Sequence, residues 1–188
     1  MKKVTLILGA LVMGFLLSSC GESTKDKIYK DVDAFFVQKE AEIQGIDNAD
    51  ALLDFVTEMD NYPELDLIDK YVDAEGNITG LTEEEGDVLS DMMIQRREVY
   101  TDIETAKCNE MMEPLIVEYE NIIASLYEDF EAGLSEASED KMAQWESIYT
   151  QIDHYTTIIP NELYDRFREA DDTFDYMFGL GDYAEADE

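Results

Sequence analysis

Leu115-Ile116-Val117-Glu118-Tyr119-Glu120-Asn121-Ile122-Ile123-Ala124-Ser125-Leu126-Tyr127-Glu128-Asp129-Phe130 decides the fold class. Its apolar side chains recur three and four residues apart, at Leu115, Tyr119, Ile122, Ile123, Leu126, Phe130 and then Leu134. That spacing lines one face of a helix and does not follow the two-residue alternation of a strand. The pattern continues outward in both directions. Upstream, Thr82 with Glu85 three residues on is a capping-box signature, opening a segment with Leu89, Met92, Val99, Tyr100 and Ile103 inward. Earlier still, Leu65, Ile68 and Val72 mark a short helix, Leu52, Phe55, Val56 and Met59 another, and Ile28, Val32, Phe35, Phe36 and Ile43 the first. Downstream, Ser138 caps a helix carrying Met142, Trp145, Tyr149 and Ile152, and Asn161 caps the last, with Leu163, Tyr164, Phe167, Phe174 and Phe178.

The three prolines, Pro63, Pro114 and Pro160, fall at boundaries of these segments, where a missing N–H costs least, and Gly179 and Gly181 end the last one. The expected fold is therefore an all-α bundle of about seven helices, three short and then four longer. One interruption, residues 71–79, reads as a small hairpin with Asp73 to Gly76 as its turn and Gly76 at positive φ. Asp73, Glu75 and Asn77 alternate there as in a calcium-binding EF-hand loop. The sixth position is Ile78 rather than glycine, though Glu84 stands twelfth, so the stretch is read as a turn and no metal residue is assigned.

At the N-terminus, Lys2 and Lys3 precede an uncharged, mostly apolar run from Val4 to Leu17, followed by Ser18 and Ser19. This is the layout of a secretory signal, too short to span a bilayer that needs roughly 20 apolar residues. Leu17-Ser18-Ser19-Cys20 resembles the lipobox of bacterial lipoproteins. The resemblance implies cleavage before Cys20, acylation of that thiol with palmitate-like chains, and an exported protein held on a bacterial membrane, the outer one in a diderm cell. Several chains at about 0.8 kcal/mol per buried methylene anchor stably. The expected organisation is a signal peptide over 1–19, a lipidated cysteine and polar tether over 20–27, one helical domain over 28–181 and an acidic tail over 182–188.

The loss of Lys2 and Lys3 reduces 13 basic residues to 11 against 46 acidic ones, a net of −35. Nucleic acid is excluded as a partner on charge. With 45% hydrophobic and 11% aromatic residues, the chain has too much to bury for an acidic disordered tail. Ten acidic residues and no basic one lie between Glu40 and Asp69, and the same holds between Cys108 and Asp140, so both blocks are expected to be unneutralised faces. Crowded carboxylates resist ionisation, which predicts folded carboxyl pKa values above the ordinary range. Glu162 with Arg166 and Asp165 with Arg168 read as local surface pairs.

The chemistry available is sparse. Cys108 has no partner once Cys20 carries lipid, and reads as a buried small apolar residue. His154 is the only histidine, two residues past Ile152 and so turned from the apolar stripe toward solvent. Di-iron carboxylate bundles need Glu-x-x-His, and Gln151 stands where the glutamate would be. No phosphate-binding glycine motif occurs. Trp145 and the tyrosines could stack on sugars, but most lie in phase with the core. No catalytic or cofactor-binding residue is assigned. The expected role is non-catalytic binding or scaffolding in the cell envelope, toward a cationic protein or peptide. The alternative is an envelope hydrolase acting on polysaccharide through paired carboxylates.

Overall fold

A computed structural model describes residues 23–133 and 139–179. Residues 1–19, read above as a signal peptide, together with Cys20, Leu134, Ser138, Gly181 and residues 182–188, lie outside those residues. Six α-helices and one 3-10 turn account for the fold, and no extended strand occurs among the described residues. They are α1 (Thr24–Gln44), α2 (Ala49–Met59), the single turn α3 (Asp66–Asp69), α4 (Glu83–Glu131), α5 (Glu139–His154) and α6 (Asn161–Phe178), with Thr156–Ile158 as the 3-10 turn. The fold is the expected helical bundle, with the helices divided differently.

The main difference is at Pro114, which lies inside α4 rather than at a boundary. Two segments read as separate helices are one helix of 49 residues, about 70 Å long. Proline deletes the amide bond to the carbonyl of Glu110 and normally costs about 3 kcal/mol in a helix interior. Here its ring faces solvent, and Met112 and Ile116 on either side are fully buried. Tertiary packing on both flanks outweighs the local break. At its start α4 has the predicted capping box: Thr82 Oγ1 accepts from Glu85 N–H at 3.3 Å and Glu85 Oε2 from Thr82 N–H at 3.0 Å. Asn161 is already the first helical residue of α6, and Pro160 occupies the cap position with no side-chain bond.

Contacts between side chains fix the directions of the helices. Lys25 and Tyr29 of α1 reach Glu85, and Arg96 reaches Asp33 and Glu40, so α1 and α4 run parallel from a common base. The chain climbs α1, returns along α2, and comes back to that base through α3 and residues 71–79. This stretch is the predicted hairpin in miniature, with an isolated antiparallel bridge between Val72 and Ile78 and Gly76 at φ +87°. Gly80, at φ +85°, lies so close to Thr24 that a Cβ there would sit 3.1 Å from the Thr24 Cβ. α4 then runs the length of the molecule. α5 descends beside its far half, with Lys141 near Asp129 and Trp145 near Tyr119, and α6 rises again, with Arg166 at Glu120 and Tyr176 at Phe130.

The result is two three-helix lobes sharing α4 and one continuous core. Leu89 and Tyr100 of α4 serve the first lobe with Ile28, Val32, Phe36, Leu52 and Met59; Tyr119, Ile123 and Leu126 serve the second with Ile152, Leu163, Phe167 and Phe174. The lobes also touch where Tyr155 Oη donates to Asp50 at 2.8 Å. Some expected core positions are exposed: Leu65 and Val72 belong to no full helix, and Val99, Phe130 and Phe178 face outward. Thr24 to Lys27, expected in the tether, form the first turn of α1, where Ser23 caps by accepting from Asp26 N–H at 3.1 Å.

Candidate functional site

Of the 11 basic residues that follow Cys20, at least eight close ion pairs, and seven of these reach another element. Lys25 meets Glu85, Lys39 meets Glu58, Lys70 meets Asp31, Arg96 meets Glu40 and Arg97 meets Glu64 in the first lobe. In the second, Lys141 meets Asp129 at 2.5 Å, and Arg166 grips Glu120 through two bonds of 2.8 and 2.7 Å. The two acidic blocks are therefore partly neutralised through space by distant cations, which sequence neighbours do not show. Arg166 pairs across to α4 instead of locally with Glu162. Because the cations sit between elements, the surplus of acid remains on the outside.

Two constellations stand out, one closed and one open. In the closed one, Glu64 is buried, 3% exposed, and faces the Arg97 guanidinium at 3.4 Å. The same guanidinium donates to the Met59 carbonyl at 2.6 Å and lies 4.6 Å from the centre of the Tyr62 ring. Tyr62 holds φ at +54°, which a non-glycine residue rarely adopts. Tyr100 lies alongside, its hydroxyl buried without a well-formed hydrogen bond although Glu104 is near. Burial first, then the charge of Asp60, push the Glu104 carboxyl upward, with the nearby Tyr100 hydroxyl and then Arg97 opposing. Burial and Glu104 raise the Cys108 thiol to about 12, so it is the inert buried cysteine expected. Glu64, Tyr100 and Cys108 are buried while the Tyr62 ring covers Arg97 from the outside, and the arrangement clamps the loop after α2 onto α4.

The open constellation is a trough between α4 and α6. Ile123, Ala124, Ala170 and Thr173 line its middle, and Tyr127 and Tyr176 its far end, where it opens to about 420 Å³. Small side chains at 124 and 170 leave the space. Tyr127, Phe130 and Tyr176 form a chain of rings 6.3 Å apart, and Tyr176 is 61% exposed. Around them stand Asp172, Glu169 and Glu131, the last close enough that its charge raises the Tyr127 phenol. Arg166 is the trough's cation, and Glu120 already holds it. Behind the trough α6 is packed against α4 and α5: Trp145 stacks on Phe174 at 4.2 Å, and its indole N–H donates to Tyr119 Oη at 3.1 Å, which donates to Asp171 at 2.6 Å.

The other residues singled out in the sequence do not assemble. His154 is exposed and 3.4 Å from Asp50. Asp73 accepts from the N–H groups of Glu75 and Asn77 at 3.0 and 2.8 Å, so its carboxylate closes the turn, and its pKa is lowered by those bonds. Glu84 lies apart, in the first turn of α4. No group of three or more metal-ligating side chains occurs among the described residues, and no helix among them is long and apolar enough to cross a membrane. The carboxyl groups also depart from expectation: hydrogen bonds lower the pKa values of Asp31, Glu42, Asp73 and Glu85, whereas burial raises that of Glu104. Specific partners outweigh general repulsion at those sites. The trough residues were missed because Tyr127 and Tyr176 lie beside, not within, the apolar stripes; aromatics off phase were the available signal. Comparison with protein-family models, curated proteins and solved structures finds no match.

Proposed function

We propose that this protein is a lipoprotein of the bacterial cell envelope, exported on residues 1–19, acylated at Cys20, and serving as a non-catalytic binder of a cationic protein or peptide. The observation that carries the reading is the placement of charge. Most basic residues are spent on pairs that join one element to another, which leaves an acidic exterior around an open trough whose one lining cation, Arg166, is held by Glu120. Such a surface steers basic partners and repels acidic ones.

The anchor gives this surface an orientation. Only Gly21 to Ser23 separate Cys20 from α1, a reach of about 10 Å. The common base of α1 and α4 would then lie next to the bilayer, and the trough near the far end of α4, about 60 to 70 Å away. Cys20→Ala tests the anchor: label from a palmitate analogue should vanish and the protein should leave the membrane fraction, and wild-type pelleting would overturn that half. Binding of a basic protein, before and after acetylation of its lysines, tests the other half. Affinity should fall steeply with salt and with acetylation, and indifference to both would overturn it.

A further inference from the structure

We infer that the trough between α4 and α6 receives a basic amphipathic helix of a partner protein, with an arginine laid on Tyr127 and Tyr176 and its charge met by Asp172 and Glu169. This rests on the reading that the protein binds a cationic partner, and it names the place and the chemistry. Two parallel helices with Ala124 and Ala170 facing the gap leave a furrow whose floor at Ile123 is apolar. A helix laid in such a groove buries apolar side chains at three- and four-residue spacing. The exposed Tyr176 and Phe130 rings are large apolar surfaces that a partner would cover.

Charge selects among occupants. The lining carries Glu120, Glu169 and Asp172 against Arg166, and Glu120 occupies that arginine through two bonds. An incoming cation therefore meets free carboxylates beside aromatic faces. Arginine suits both, because its planar guanidinium stacks on a ring while donating in the plane to a carboxylate. A second copy of this chain, at net −35 after removal of residues 1–19, is repelled. The chain's own stretch 182–188 carries Asp182, Glu185, Asp187 and Glu188, and has the wrong sign too.

The test uses the full-length chain in detergent and a fluorescent synthetic helix of leucine and arginine, read by anisotropy at low salt. Asp172→Asn, nearly isosteric, and Tyr176→Ala, on an exposed position checked by circular dichroism, should each weaken binding about five- to tenfold. Asp87→Asn, an exposed acid on the first lobe, should change it less than about twofold. Replacing the peptide's arginines by lysine should weaken it severalfold. Equal losses from Asp87→Asn and Asp172→Asn would overturn the trough as the site while leaving the acidic binder standing. Competition by spermidine at equal concentration would replace the helix with a small polyamine. Salt-independent displacement by a neutral oligosaccharide would replace it with a sugar, and self-association abolished by Tyr176→Ala with a second copy. Failure of both this peptide and an unmodified basic protein to bind would remove the underlying reading itself.

Discussion

The two lobes hang on one helix yet are held together by different physics. In the first, α1, α2 and the loop after α2 are tied to each other and to α4 by charge: Lys25 to Glu85, Lys39 to Glu58, Arg96 to Glu40, and Arg97 to the buried Glu64. In the second, aromatic rings do most of the joining. Tyr119 lies 5.0 Å from Phe167, Trp145 lies 5.3 Å from Tyr149 and is stacked on Phe174, and one chain of hydrogen bonds links Trp145, Tyr119 and Asp171. Rings pack without consuming charge, which leaves the second lobe's carboxylates for its surface. The first lobe is thus the more self-neutralised, and the second carries the open, acidic trough.

The largest effect expected from breaking this contrast is at Arg97. Arg97→Met keeps much of the side-chain volume over Tyr62 and Tyr100 but leaves Glu64 buried without a countercharge. Removing one partner of a buried pair costs about 3 to 5 kcal/mol. Urea unfolding followed by circular dichroism should register that loss, and Glu64→Gln added to Arg97→Met should recover part of it. A loss below about 1 kcal/mol would mean that Glu64 finds water and the clamp is ornamental.

A matched pair of tyrosines gives a smaller and sharper contrast. Tyr119→Phe removes the oxygen that accepts from Trp145 and donates to Asp171, stranding a half-buried indole N–H, and should cost about 1 to 3 kcal/mol. Tyr100→Phe removes a buried hydroxyl that has no well-formed partner and should be neutral or slightly stabilising. The same chemical change therefore destabilises the second lobe and not the first. Equal destabilisation of both variants in urea melts would show that the Tyr100 hydroxyl is satisfied after all.

The sequence made the lobes' composition legible, but not their connection. Helical phase placed Val32, Phe36, Leu52, Tyr119, Phe167 and Phe174 in the core, and residues 71–79 in a turn with Gly76 at positive φ. Pro114 misled because the local cost of proline is written in the sequence, whereas the packing of Met112 and Ile116 that outweighs it is not. Val99 and Phe130 were placed inward on phase alone; α4 presents its apolar face to different neighbours along its length, so one phase does not serve the whole helix. The acidic blocks misled for a related reason, since Arg97 and Arg166 answer carboxylates 33 and 46 residues away. The trough could not be read because it is made by what two helices leave unfilled.

Acid should separate the lobes with the smallest perturbation. Asp31, Glu42, Asp73 and Glu85 all belong to the first lobe and all have lowered carboxyl pKa values. Asp31 is lowered chiefly by Lys70, Glu42 by Gln38 and then Lys39, Asp73 by backbone N–H bonds from Asn77 and Glu75, and Glu85 by the Thr82 N–H and Lys25. A carboxyl with a lowered folded pKa contributes stability that is present above its unfolded value of about 4 and is lost as pH falls through the folded one. Glu104 has the opposite sign: its raised carboxyl takes a proton more readily when folded, so mild acid relieves it before the others are protonated. The first lobe should therefore gain slightly in mild acid, above the ordinary carboxylate range, and lose stability as pH falls below about 4. Relief of repulsion among exposed carboxylates acts on both lobes and does not distinguish them. Hydrogen exchange at stepped pH, corrected for intrinsic rates, should show amides of α1 and residues 71–79 losing protection before those of α5 and α6. Simultaneous loss, or earlier loss in α6, would show that the ion pairs of the first lobe contribute no more to its stability than aromatic packing does to that of the second.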